Sequence, residues 1–178
     1  GKGKMKKILQ RKEKILRKVA SEVPIKEIKT PRIRKILKEM SAALKSQHDG
    51  VAVAAPQIGH SLRLFVVSGK VFVAGFGEKR EEKIPPPDLP LRKGEAKIPD
   101  LVFINPKILK LSRDKEWMPE GCLSVRPLYG KVLRSKKATV SAYDQNGKKF
   151  QRGASGLLAQ IFQHETDHLD GVLFTDKA

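Results

Sequence analysis

Disulfide frameworks are excluded at once, because the chain has a single cysteine, Cys122. A lone thiol fits a reducing compartment, so the expected location is the cytoplasm. Long apolar runs are also missing. None approaches the ~18 residues of a membrane-spanning helix, and the basic N-terminus lacks the apolar stretch and cleavage site of a secretory signal. No membrane association is expected. Aromatic residues make up only 6% of the chain and do not interleave its basic runs, so a stacking platform for single-stranded nucleic acid is not indicated. Acidic residues are scarce: 19 stand against 37 Lys and Arg, a formal net charge of +18. Residues 1–40 alone hold fifteen Lys or Arg against Glu13, Glu22, Glu27 and Glu39, so +11 lies there. Such a surface attracts polyanions in a salt-dependent way, although a solvating lysine bias explains it equally well.

The 178 residues suit one domain spanning 1–178, with Gly1–Lys4 as an unstructured lead-in ahead of Met5. Residues 5–24 are basic and irregular. Thr30-Pro31 reads as a helix start, with Thr30 at the cap and Pro31 in the first turn. Ile33, Ile36, Leu37, Met40 and Leu44 follow at helical spacing, which predicts an amphipathic helix fading before Gly50. Val51–Ala55 and Leu62–Val67 read as short strands, and Val71–Ala74 as a third. Pro85-Pro86-Pro87 and the surrounding charges predict a mobile loop over 75–99. Leu101–Ile104 reads as a strand stopped by Asn105-Pro106. Lys137–Tyr143 and Lys148–Phe150, around Asn146-Gly147, read as a hairpin. A helix is expected from Ser155 to Leu169, ended by Gly171. The predicted class is α+β: antiparallel strands around a buried C-terminal helix, plus the one N-terminal amphipathic helix.

That last helix carries His164-Glu165-Thr166-Asp167-His168, an H-E-x-x-H pattern. Four residues apart, the two imidazoles share one helix face and can grip one ion. Glu165 is placed to take a proton from water without ligating. Leu157, Leu158, Ile161 and Phe162 make the preceding turns apolar, so the histidines sit at the buried end. A catalytic site wants a third ligand. Ten residues follow His168, with only Asp170 and Asp176 as donors, and Asp170 points away on a helix. The third ligand is therefore sought upstream, where Cys122 in Glu120-Gly121-Cys122-Leu123-Ser124 offers a thiolate suited to Zn²⁺ or Fe²⁺. A third segment, Gly50–Gly59, packs small residues at 50, 52, 54 and 55 ahead of the neutral amide of Gln57. The remaining histidines, His48 and His60, read as surface residues.

These three segments, in this order, resemble the signatures of the peptide deformylases. Weaker likeness runs through Ile15–Ala20 and Phe103–Pro106, so the resemblance covers about Met5 to Ala178 apart from the 75–99 loop. It implies a single catalytic domain that removes the N-terminal formyl group from formyl-methionyl nascent chains and releases formate. It implies one divalent ion per chain on Cys122, His164 and His168, with Fe²⁺ as the physiological metal and Zn²⁺, Ni²⁺ or Co²⁺ as substitutes. Glu165 would be the general base. The Gln57 amide and the Leu123 backbone N–H would hold the oxyanion. Substrate would lie along Gly50, Val51, Ala52 and Val53 and beside Gly121, with Leu157, Gln160 and Ile161 forming the methionine pocket. The protein would act as a monomer, its basic N-terminal region contacting ribosomal RNA. Ala52 stands where the family has a second glycine, Val125-Arg126-Pro127 delays a proline, and Gln160 is polar where the family is apolar. These departures bear on substrate fit rather than on the ligands. Two alternatives remain: a zinc metalloprotease that gives Cys122 no duty, and a nucleic-acid-binding protein with a structural metal.

Overall fold

The computed structural model describes residues 5–73 and 98–178; the expected lead-in at 1–4, Ala74, and 75–97 of the expected loop lie outside them. Helix α1 runs Pro31–Lys45, with Ile33, Ile36, Leu37, Met40, Ala43 and Leu44 buried. Thr30 holds the cap position, but its hydroxyl turns back to donate to the Glu27 carbonyl at 2.7 Å rather than accepting from the first turn.

Strands β1 (Ala52–Ala54), β2 (Leu64–Val67), β3 (Leu101–Leu111), β6 (Lys137–Tyr143) and β7 (Lys149–Ser155) form one antiparallel sheet in the order β1-β2-β3-β6-β7. Strands β4 (Lys115–Gly121) and β5 (Tyr129–Ser135) pair separately. Helix α2, Gly156–Leu169, packs on the five-stranded sheet.

Alternation along β1 and β2 explains their unbroken hydrophobicity. Ala52, Ala54, Phe65 and Val67 face one core with Phe103 and the α2 residues Leu158, Ile161 and Phe162. Val53, Leu64 and Val66 face a second core with α1. Both faces are covered, so both sets are apolar. Phe65 stacks on Phe103 with centroids 4.7 Å apart, and Phe162 meets Phe103 edge-on at 5.3 Å. A third cluster, Val125, Val132, Leu173 and Phe174, lies against Cys122.

Two expected elements differ. Residues 71–72 close a 3₁₀ turn, Gly69–Phe72, in place of a strand. Strand β3 does not stop at Asn105-Pro106 but continues to Leu111 through a register shift between Ile104 and Lys107. Asn105 adopts φ 51°, and its side chain accepts from Val23 N (2.8 Å) and donates to Val23 O (2.7 Å). The bulge absorbs the proline that lacks an N–H. The hairpin β6–β7 turns at Asp144–Lys148 with Gly147 at φ 78°, and β7 extends beyond Phe150 into α2. Helix α2 ends at Leu169, its carbonyl satisfied by Ala20 N (2.8 Å) and Arg63 Nη1 (3.0 Å), with Gly171 at φ 76° beyond.

Candidate metal centre and active site

Strand β4 ends at Gly121 beside α2, which brings Cys122 to the two histidines. Ligand atoms of Cys122, His164 and His168 all lie within 4.8 Å of one another. The Cys122 sulfur is 3.1 Å from His168 Nε2, and the imidazole centroids are 4.9 Å apart. The set suits a borderline ion, and three protein donors leave a tetrahedral position open.

A buried polar network holds the ligands. Glu120 Oε2 lies 2.8 Å from His164 Nδ1, which leaves the other ring nitrogen, Nε2, for the cluster. Arg134, from β5, donates to both Glu120 oxygens (Nε 3.1 Å, Nη2 2.7 Å) and through Nη1 to Asp167 Oδ2 at 2.7 Å. Gln160 Nε2 donates to Pro119 O at 2.9 Å and to Glu120 Oε1 at 3.1 Å. Burial raises the Glu120 carboxyl, but His164 and Arg134 more than offset it and hold it at about 2. Burial likewise opposes charge on His164, yet Cys122 and Glu120 keep it protonated well above the usual imidazole range. His168 is pushed down by burial and by that neighbouring charge.

Glu165 follows the first histidine and is buried, 3% exposed; its Oε2 has no partner among the described residues. Burial pushes its carboxyl up to about 7. Gln57, in the 3₁₀ turn after β1, is fixed by accepting from Ala54 N at 2.8 Å and donating to Ser124 Oγ at 3.0 Å. Its amide nitrogen is also 3.7 Å from the Cys122 sulfur.

All of this opens on one cleft. Gly50, Val51, Ala52 and Gln57 line one wall, Pro119 to Leu123 with Arg126 and Tyr129 another, and Leu157, Gln160, Ile161, His164 and Glu165 the floor. Thus the expected residues converge, with one exception. Val53 is fully buried against the α1 core, because alternate residues of a strand face opposite sides. A Cβ at Gly50 would sit 3.2 Å from Leu123 and 3.1 Å from Leu44, so the two walls approach closely there. His60 pairs with Glu39 at 3.1 Å, and neither His60 nor His48 joins the cluster.

Several participants were not read from the sequence: Glu120 as partner of His164, Arg134, Asp167, Ser124, and Asp49, which pairs with Arg126 at the cleft. The one signal was a carboxylate two residues before the cysteine. Arg134 reaches Glu120 only through the β4–β5 register, in which it lies opposite Glu116.

Three soft and imidazole donors around one point, a buried carboxylate with a free oxygen beside them, and an open cleft define a metal-dependent hydrolase. Comparison with known proteins makes this specific. The polypeptide deformylase family model matches residues 5–178. Peptide deformylase 2 of Clostridium acetobutylicum is 38% identical over 165 residues, covering 92% of this chain and 89% of that protein. A peptide deformylase of Synechococcus elongatus, solved with actinonin, is 32% identical with a TM-score of 0.74, covering 96% of this chain and 77% of that one. One from Acinetobacter baumannii, solved with Met-Ala-Ser bound, is 30% identical with a TM-score of 0.76, covering 96% of each chain. The chain belongs to the polypeptide deformylase family. Among the described residues no helix is long and apolar enough to cross a membrane.

Proposed function

We propose that this protein deformylates formyl-methionyl chains at the Cys122–His164–His168 centre, with Glu165 as general base. The observation that carries the proposal is the juxtaposition of that donor triad with a buried, unpartnered carboxylate oxygen on one open cleft. Bound there, a divalent ion supplies Lewis acidity, polarising the formyl carbonyl and making water acidic near neutrality. We assign Fe²⁺ as the physiological ion; the thiolate and imidazole donors also accept Zn²⁺, Ni²⁺ or Co²⁺.

Glu165 takes a proton from the attacking water and returns it to the leaving amine, so formate and a free N-terminus result. Gln57 and Leu123 stabilise the oxyanion. The Leu123 N–H has no partner among the described residues, and Ala54 fixes the Gln57 amide so that its nitrogen points toward the cysteine. Strand β1 is an edge of its sheet, and Val51 and Ala52 on the cleft suit pairing with an extended substrate. Leu157 and Ile161 supply the apolar side of a methionine pocket, with Gln160 tied back to Pro119 and Glu120 at its rim.

The protein acts as a monomer in the cytoplasm, where a free thiol ligand stays reduced. Its exposed basic N-terminal residues, Lys6, Lys7, Arg11 and Lys12 among them, favour ribosomal RNA. Ribosome sedimentation at low salt with those four changed to Gln tests that contact, and unchanged association rules it out. For the reaction, formate release from a formyl-methionyl peptide is measured with anaerobically prepared protein loaded with Fe²⁺ or Ni²⁺. Wild type releases formate; Glu165→Ala keeps the metal and loses about 10²–10⁴-fold in rate. No formate from folded, fully metallated wild type refutes the assignment.

A further inference from the structure

At the mouth of the cleft, the segment entering β1 and the segment after Cys122 are joined by an ion pair. Arg126 Nη2 donates to Asp49 Oδ1 at 2.6 Å, and Nη1 to Asp49 Oδ2 at 2.8 Å. A longer contact runs from Nη2 to Gln47 Oε1 at 3.5 Å. A guanidinium has five N–H donors. Asp49 and Gln47 engage three, and the other two have no partner among the described residues. The Arg126 side chain is 35% exposed and lines the cleft, so an approaching peptide can reach it.

The surrounding charge has one sign. Lys70, whose ammonium donates to His48 O at 2.9 Å, adds a second cation near Asp49. The other cleft carboxylates are withdrawn: Glu120 is consumed by Arg134 and His164, and Glu165 is buried. Two cations against one exposed carboxylate leave the mouth positive. Asp49, which lines the cleft beside it, holds the guanidinium through two contacts, which removes much of the ordering cost that a free arginine incurs on binding.

Resting on the deformylase reading, we propose that Arg126 is a specificity-determining residue that recognises a substrate carboxylate downstream of the formyl-methionine. The carboxylate has two sources: an acidic side chain, or the C-terminus of a short peptide. In a growing chain only the side chain is present at that distance.

The test compares kcat/KM for metal-loaded wild type, Arg126→Gln and Asp49→Asn on formyl-Met peptides of three residues. Glu, Gln or Lys occupies the second or third position, each peptide with a free or an amidated C-terminus. Wild type should favour Glu over Gln by about two- to fivefold at low salt, and Lys should be poorest. The preference should shrink at about 0.5 M salt. It survives amidation if the side chain is the source; if only the C-terminus is read, Glu, Gln and Lys peptides are equal and amidation lowers kcat/KM for all three. Arg126→Gln should flatten the series, whereas Asp49→Asn, which removes the opposing charge, should steepen it. A pair acting only as a brace moves both variants in the same direction, and that outcome overturns the inference. So do equal values for Glu, Gln and Lys in wild type that amidation leaves unchanged. Turnover with a series flat in both the free and the amidated peptides removes this inference alone; no formate from any formyl peptide removes the reaction with it.

Discussion

At the scale of the residue, Glu120 governs the centre more than any residue except the ligands. It orients His164 and neutralises Arg134, whose side chain is 3% exposed. Glu120→Gln keeps the shape and removes the charge, leaving Arg134 with Asp167 alone. Urea unfolding of the metal-free variant should show a loss of about 3 kcal/mol, the low end for a broken buried pair, because Asp167 still holds Nη1. Zinc affinity should fall by about tenfold or more, since His164 loses the carboxylate that fixes its ring. The raised His164 carries a second consequence. Without an ion it is protonated at neutral pH, so metal uptake must expel that proton. Zinc added to weakly buffered apoprotein at pH 7 should release roughly one to two protons, and affinity should weaken as pH falls; uptake without acidification contradicts the protonated imidazolium.

The legibility of the site follows the same division. Two histidines four apart on one helix are a local pattern, and local patterns survive in sequence. Cys122 was reachable because the donors after His168 were so few. The Glu120–Arg134 contact was not reachable, because it exists only once β4 and β5 take their register. Val53 departs from the edge expected over 50–53, because strand alternation turns half of any such run away from a ligand.

Among the elements, those with a single period and clear punctuation were readable: α1 from its apolar stripe, α2 from its leucines and Gly171, β6–β7 from Asn146-Gly147. The β4–β5 hairpin was not, since Trp117 and Leu133 face solvent while Glu120 and Arg134 face inward, the reverse of the usual pattern. Strand β3 outran its expected end because Asn105 supplies, through its side chain, hydrogen bonds that Pro106 cannot. The end of α2 offers a graded test. Gly171 has φ 76°, and a Cβ there would lie 2.6 Å from the Arg17 carbonyl oxygen, which belongs to backbone and cannot swing away. Gly59 has φ 96° with nothing within 4 Å. Gly59→Ala should therefore cost about 1 kcal/mol, the conformational penalty alone, and Gly171→Ala at least about 2 kcal/mol. Equal losses in thermal or urea melts would mean that the N-terminal segment does not crowd the helix end.

For the whole molecule, charge decides how the fold meets acid. Glu120 is held at about 2 against an ordinary value of 4.5, and Asp49 and Asp176 are lowered by hydrogen bonds from Arg126 and Arg17. A carboxylate lowered in the folded state stabilises fully above its unfolded value and loses that contribution as pH falls toward the folded one. For Glu120 the window is about 4.5 down to 2, and the loss is about 3 kcal/mol. Over the same window the 19 acidic residues become neutral, so with the 37 Lys and Arg and the four histidines all charged the net charge climbs toward +41, against +18 at pH 7, and self-repulsion grows. Salt acts oppositely on the two effects: it weakens attractive pairs and it screens repulsion. The Glu120–Arg134 pair is buried and screened little, while the excess lysines are exposed and screened over a Debye length of about 10 Å at 0.1 M. Repulsion therefore responds more. At pH 3.5 the melting temperature should rise between about 0.02 and 0.5 M sodium chloride, and the gain should exceed that at pH 7. A fall on adding salt would mean that exposed pairs such as Arg17–Asp176, rather than the summed excess of positive charge, set the stability of the protein in acid.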